Sequence, residues 1–261
     1  MIKSRLYQTL FELNATPFIA KRLRQFAESK ASRAFIPSFA KTYQIDIAEA
    51  AEPIDAYPSL HAFFTRHLKD GARPIDANTD TVVSPCDGQL SIVSAITDES
   101  RFEVKGQSYT LAEMLGSQSE ARRYAGGTVC VLYLSPRDYH RVHVPLAGRV
   151  LSHYELGDRS APVNELGLTE TVRPLSRNYR RVTRFESVAG RYEHIMVGAL
   201  NVNTIEWTHD GERVDKGAEV GYFSFGSTVI LCFEKDRVVI DPAKIGPVRL
   251  GEVIGSIQSN R

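Results

Sequence analysis

Apolar residues recur with helical spacing along the first forty positions. Ile2, Leu6, Leu10 and Leu13 follow an i, i+4, i+8, i+11 pattern, with Lys3, Arg5, Gln8 and Glu12 between them. Thr16-Pro17 reads as an N-cap followed by a first helical residue. Phe18, Ile19, Leu23 and Phe26 then form a second stripe opposite Lys21, Arg22 and Arg24, and a third stretch around Phe35, Ile36 and Phe39 is interrupted by Pro37. Residues 57–75 read as one more helix, ending at Gly71 and Pro74. From about residue 81 the period changes. β-Rich runs at Thr81–Val83, Thr128–Leu134, Ile195–Val197, Thr204–Trp207, Thr228–Phe233 and Arg237–Ile240 alternate with turn residues. The pattern predicts an α+β protein: amphipathic N-terminal helices, then a β-rich, sandwich-like core.

Charge adds one fact to this picture. The 261 residues carry 32 Lys+Arg and 31 Asp+Glu, a net charge of +1. Residues 1–41 hold eight Lys/Arg against two Glu, so the average divides into +6 for this segment and −5 for the rest. Basic amphipathic helices with Phe and Leu on the apolar face can lie in a membrane interface. The same stripes can also pack on the protein's own core, and a basic, acid-poor leader can be an organellar transit peptide. Hydrophobic residues make up 43%, which excludes a disordered chain, and no apolar run is long enough to span a bilayer as a helix. Cys86, Cys130 and Cys232 are odd in number and widely spaced, which argues against a disulfide framework and fits a reducing compartment. No GxGxxG, phosphate-loop, CxxC or HExxH pattern points to a nucleotide or a metal, and neither is expected.

Three short segments carry candidate chemistry. Gly226-Ser227-Thr228 lies inside a strand-like run from Tyr222 to Phe233. It reads either as an ordinary bulge or as a site where the Ser227 hydroxyl attacks the preceding carbonyl, which Gly226 leaves unobstructed. His140 and His143 follow a predicted strand and precede a turn at 146–148. They read as a surface loop, half of a metal site or a general base. Ser84-Pro85-Cys86-Asp87-Gly88 is a turn, and Asp87 is either turn chemistry or a carboxylate that orients a histidine.

Taken together, the segments resemble the phosphatidylserine decarboxylases, pyruvoyl-dependent membrane enzymes that process themselves. The resemblance covers about residues 59–234. Phe63-Phe64-Thr65-Arg66 followed by Gly71-Ala72-Arg73-Pro74-Ile75-Asp76 is similar to the family's first motif. Ser84-Pro85-Cys86-Asp87-Gly88 is similar to SPADG with Cys86 for alanine, and Tyr139-His140-Arg141-Val142-His143 to YHRxH. Phe225-Gly226-Ser227-Thr228 resembles the LGST cleavage site with Phe225 for leucine. Asn178-Tyr179-Arg180-Arg181 keeps only the first and third residues of Asn-Glu-Arg-Val, and Val163-Asn164 resembles a Val-Asn segment.

The resemblance implies a triad of Asp87, His143 and Ser227. Asp87 holds the His143 tautomer, His143 deprotonates Ser227, and the alkoxide attacks the Gly226 carbonyl to form an ester. β-Elimination and hydrolysis then release ammonia. They leave a β chain, residues 1–226, and an α chain, residues 227–261, that begins with a pyruvoyl group. That cofactor forms a Schiff base with phosphatidylserine and accepts electrons as CO2 leaves. His140 supports decarboxylation as an acid, and Arg141, Asn178 and Arg180 are candidates for substrate contacts. The implied domains are a membrane-associating helical region, 1–75, and a catalytic region, 76–261. The implied partners are phosphatidylserine, a phospholipid surface, and the two cleaved chains as a heterodimer open to further dimerisation, with no nucleic acid. A peripheral position on the cytoplasmic side of a bacterial-type cell membrane is expected, with an organellar inner membrane as the alternative. Two other readings stay open. One is a non-catalytic biotinyl- or lipoyl-like β-sandwich carrier or adaptor, which would need a modifiable lysine at a hairpin tip in a Met-Lys-like context that Lys216 lacks; the other is a Ser-His-Asp hydrolase, which would need a GxSxG elbow.

Overall fold

The computed structural model describes residues 17–159, 161, 163, 168–169, 171–199, 205–224 and 227–258, without the side chains of 17–21 and Ser227. The helix expected around Ile2–Leu13, the Thr16 cap, Asn164 and the Phe225-Gly226 pair lie outside the described residues. Helix α1 spans Pro17–Glu28, a 3₁₀ segment follows at Lys30–Phe35, and α2 spans Ile36–Tyr43. Pro37 does not interrupt this stretch. It sits in the first turn of α2, where a missing N–H costs nothing. Helix α3 is only Leu60–Phe64, capped by the Ser59 hydroxyl, which accepts from the Ala62 N–H at 3.2 Å.

The helix predicted over 57–75 therefore stops early. After Thr65 the backbone turns to face residues 49–51. The Lys69 N–H donates to the Glu49 carbonyl, and the His67 carbonyl accepts from the Ala51 N–H, both at 2.9 Å. These interstrand bonds replace the i→i−4 ladder. The helices share a small apolar cluster of Ile36, Phe39, Tyr57, Phe63 and Phe64.

The main sheet is antiparallel and eight-stranded. Its order is β11 (Arg213–Val214), β7 (Gly148–Leu156), β8 (Arg180–Ser187), β9 (Gly190–Gly198), β13 (Ser227–Phe233), β5 (Thr128–Leu134), β2 (Gly88–Ala95) and β15 (Gly246–Val248). Strand β13 runs between β9 and β5, and its alternate residues feed two cores. Val229, Leu231 and Phe233 enter one; Ile230 and Cys232 enter the other. That burial on both faces explains a nearly continuous apolar run.

The first core is closed by two three-stranded sheets. One is β10 (Ile205–Trp207), β12 (Glu219–Phe223) and β6 (Arg141–His143); the other is β1 (Thr81–Val83), β16 (Val253–Ile257) and β14 (Val238–Ile240). The second core lies under α4 (Leu111–Leu115), α5 (Gln118–Arg123) and the hairpin of β3 (Arg101–Val104) with β4 (Gln107–Thr110). The architecture is α+β and sandwich-like.

One sequence expectation changes here. The run from Tyr222 to Phe233 is not one strand. β12 ends at Phe223 in a three-stranded sheet, and β13 begins at Ser227 in the main sheet. β12 and β13, which lie in different sheets, stand on either side of the expected cleavage.

Candidate active site

Asp87 ends the bend before β2 and is 7% exposed. A side chain on the next residue would meet the Tyr133 carbonyl at 2.4 Å, so Gly88 is needed where β2 hugs β5. The Asp87 carboxylate accepts from Arg73 Nε at 2.8 and 3.1 Å, from Arg73 Nη2 at 2.6 Å and from the Leu250 N–H at 2.9 Å. Arg73 also donates to Glu49 at 2.7 Å, and Glu49 accepts from Arg249 at 3.1 Å. The Arg73 hydrogen bond and charge hold the Glu49 carboxyl below its usual range. Asp87 thus makes its hydrogen bonds to Arg73 and a backbone amide, not to His143.

His143 lies in β6 opposite Glu219. Its Nδ1 sits 2.8 Å from the Gly217 carbonyl, and its buried Nε2 has no partner among the described residues. A carbonyl can only accept, so Nδ1 carries the proton and Nε2 offers a lone pair. Burial lowers the His143 pKa; the Gly217 carbonyl, then the Glu219 charge and last the Asp87 charge oppose that shift, and Arg141 adds to it. The orienting bond expected from Asp87 is supplied by a main-chain oxygen. Gly217 has φ +77°, and a Cβ there would lie 2.7 Å from Ile75, so the carbonyl is aimed by a backbone that suits glycine.

His140 is fully buried. Its Nδ1 lies 2.8 Å from the Asp138 carbonyl, its Nε2 has no partner among the described residues, and its ring centroid is 4.0 Å from that of Phe64. Burial pushes its pKa down to about 3, so it is neutral near pH 7. Asp138 fixes the preceding turn by accepting from the Ser135 N–H and hydroxyl, each at 2.7 Å. The His140 carbonyl accepts from the Phe223 N–H at 3.0 Å. The buried Ser224 hydroxyl lies 3.0 Å from His61 Nε2. Ser227 then opens β13, its backbone paired with Leu134 and Gly198. The structure thus brings the His140–His143 strand beside the segment that leads into Ser227.

The three candidates for substrate contacts are engaged by the protein itself. Arg141 donates to Glu219 at 2.7 Å and to the Thr65 carbonyl at 3.0 Å. The Asn178 amide bonds Ala161 and the carbonyl of Gly198, the residue paired with Ser227. Arg180 donates to the carbonyls of Met114, Glu113 and Asn178, and burial pushes its pKa down to about 10. Arg181 pairs with Glu155 and lies over Trp207 at 6.0 Å. Cys86 is fully buried, and burial raises its thiol pKa.

Sequence reasoning gave no role to Arg73, although the residue lies inside a quoted motif, nor to Gly217 or His194. Only the turn-like Asp215-Lys216-Gly217 hinted at Gly217, and nothing marked His194. Among the described residues no cluster of three His, Cys, Asp or Glu side chains could hold a metal ion. No described helix is long and apolar enough to cross a membrane.

Known proteins resemble this chain along nearly its whole length. The family model described as phosphatidylserine decarboxylase matches residues 60–256. The chain is similar to a phosphatidylserine decarboxylase proenzyme of Halalkalibacterium halodurans, 46% identical over 256 residues, covering 98% of this chain and 99% of that one. It is also similar to the proenzymes of Anoxybacillus flavithermus, 46% identical with 98% and 97% covered, and Bacillus thuringiensis, 44% identical with 98% of each. With the match running through Arg73, Asp87, His140, His143 and Ser227, this chain belongs to the phosphatidylserine decarboxylase family.

Proposed function

We propose that this chain cleaves itself between Gly226 and Ser227, and that the resulting enzyme converts phosphatidylserine to phosphatidylethanolamine and CO2. The observation that carries this reading is His143: a neutral imidazole with Nδ1 anchored on Gly217 and a buried Nε2 that has no partner among the described residues. That is the state a general base requires. His143 takes the Ser227 hydroxyl proton, and the charges of Glu219 and, more weakly, Asp87 favour the imidazolium through their field rather than through a hydrogen bond. Cleavage gives chains 1–226 and 227–261 that stay together, because β13 is hydrogen-bonded on both sides to strands of the longer chain. The proenzyme names of the relatives support a precursor length.

The pyruvoyl group made from Ser227 supplies a carbonyl that condenses with the substrate amine and draws electrons as CO2 leaves. His140, neutral with no partner on Nε2 among the described residues, supports protonation of the carbon that lost CO2 once the anionic substrate enters and raises its basicity. This differs from an acid that starts out charged, and burial is the reason.

The substrate lies in a bilayer, so the enzyme must meet one. The helical region through residue 75 is our candidate for that contact, on the cytoplasmic side of the cell membrane. Phe26 and Phe35, each 41% exposed, pack edge to face with centroids 5.5 Å apart beside Lys30 and Arg33. Replacing both by serine is expected to reduce co-sedimentation with anionic vesicles; unchanged binding would remove the helices from this role.

The two other readings fare worse. Lys216 is not a free hairpin tip: its Nζ donates to the Asn78 carbonyl and Thr81 hydroxyl, each at 2.7 Å. Ser227 opens a strand rather than a strand-to-helix elbow. The activity test uses phosphatidylserine labelled at the serine carboxyl. Labelled CO2 should appear with wild type, vanish after phenylhydrazine treatment and be absent with Ser227→Ala. Release from Ser227→Ala would overturn the proposal.

A further inference from the structure

Arg66 is 5% exposed, and its guanidinium has no carboxylate partner among the described residues. Nη1 reaches the Phe63 carbonyl at 3.4 Å and Nη2 the Arg137 carbonyl at 3.5 Å, both at the outer limit of a hydrogen bond. Nε is buried with no partner among the described residues. Asp87 is the carboxylate whose charge reaches it, but the Asp87 oxygens are taken by Arg73 and the Leu250 N–H. A buried cation without a counter-charge is expensive, and native proteins retain one where an anion arrives to complete it.

Its position connects Arg66 to the chemistry. It follows Phe64, whose ring lies against His140, and its own charge depresses the His140 pKa. The intervening Thr65 carbonyl holds Arg141, which lies over the Tyr222 ring at 5.0 Å. The end of α3 therefore adjoins both His140 and the segment leading to Ser227. Arg141 and Arg180 have their donors satisfied by protein oxygens; Arg66 does not.

We propose that Arg66 is an anion subsite of the active site and takes the phosphodiester of the phospholipid headgroup. This rests on the reading that the site acts on phosphatidylserine. The substrate offers two anions, phosphate and carboxylate. Pairing an arginine with the carboxylate would stabilise the ground state that must lose CO2, whereas the phosphate does not react. The planar fork suits two phosphate oxygens, and one cation balances one diester charge.

The test uses the processed enzyme with dispersed phosphatidylserine and two competitors. sn-Glycero-3-phosphoethanolamine carries the phosphodiester without a carboxylate; L-serine carries the carboxylate without a phosphate. Arg66→Gln should raise KM, and the inhibition constant of glycerophosphoethanolamine, roughly ten- to a hundredfold, with a smaller change in kcat and little change for serine. Arg66→Lys should fall between. Unchanged constants in cleaved Arg66→Gln would overturn the proposal, and so would weakened serine inhibition alone, which would assign Arg66 to the carboxylate. If Arg66→Gln does not fold, Arg66→Lys decides, because it keeps the charge but loses the fork: unchanged glycerophosphoethanolamine inhibition refutes the subsite. Chain cleavage is read separately. An uncut, active wild type sinks the pyruvoyl reading, whereas cut chains with unchanged KM sink only the role of Arg66.

Discussion

Buried neutral histidines should make this fold acid-sensitive. His140 and His194 are both fully buried, and burial pushes their pKa values from 6.5 down to about 3 and about 4. The unfolded chain takes up these protons near pH 6.5, but the folded chain cannot. Stability is therefore full above about pH 7.5 and is lost as pH falls through 6.5 toward the folded values. Between pH 8 and pH 5 each histidine removes roughly 2 kcal/mol, about 4 kcal/mol for the pair.

His194 separates this effect from catalysis. It lies in β9 between Thr183 and Leu231, burial outweighs the backbone oxygens of His143 and His194 that would favour its charged form, and no step proposed above uses it. Urea unfolding of the uncut Ser227→Ala chain at pH 8 and pH 5 is the assay, since one chain permits equilibrium analysis. In that background His194→Leu should lessen the loss of stability between pH 8 and pH 5 by roughly 2 kcal/mol. Equal losses with and without His194→Leu would refute the reasoning. They would mean that His194 titrates normally and is not sealed in the core.

Two more expectations concern the supports of the site. Arg73→Met leaves the buried Asp87 carboxylate with the Leu250 N–H as its remaining described donor. It should cost about 3–5 kcal/mol and lower Tm by roughly 10 °C, measured by thermal unfolding. The double variant Arg73→Met/Asp87→Asn should recover much of that stability; additive losses would contradict the pairing. Gly217→Ala should slow self-cleavage, followed on denaturing gels, because φ of +77° and the contact with Ile75 displace the carbonyl from His143. Adding Ile75→Ala relieves the contact but not the φ, so rescue should be partial; cleavage at the wild-type rate in Gly217→Ala would contradict this role.

The strand runs were legible because a central strand buried on both faces has little choice of residues. Thr128–Leu134 is read directly as β5, and Thr228–Phe233 lies within β13. What escaped depends on long-range partners. Pro37 reads as a breaker until the start of α2 is seen to fall just before it. The stretch after Phe64 keeps a helical look, but its backbone bonds residues 49–51, which local periodicity cannot reveal. In the site, motif order brought out Asp87, His140 and His143. Their partners could not be read the same way. The Gly217 carbonyl is 74 residues from His143, and a main-chain oxygen leaves no signature in residue type. The Asp87 partner lay in a quoted motif, but only the folded geometry distinguishes Arg73 from the other arginines nearby.

The claim that this is a self-processing enzyme stands most directly on the mass of its chains. Denaturing mass spectrometry of the purified active protein should show two chains, residues 1–226 and 227–261, the shorter lacking a free N-terminal amine. Ser227→Ala and His143→Ala should give the uncut or slowly cut chain, whereas His140→Ala should be cut and decarboxylate poorly. A single intact chain of 29.1 kDa in a fully active preparation would contradict the account.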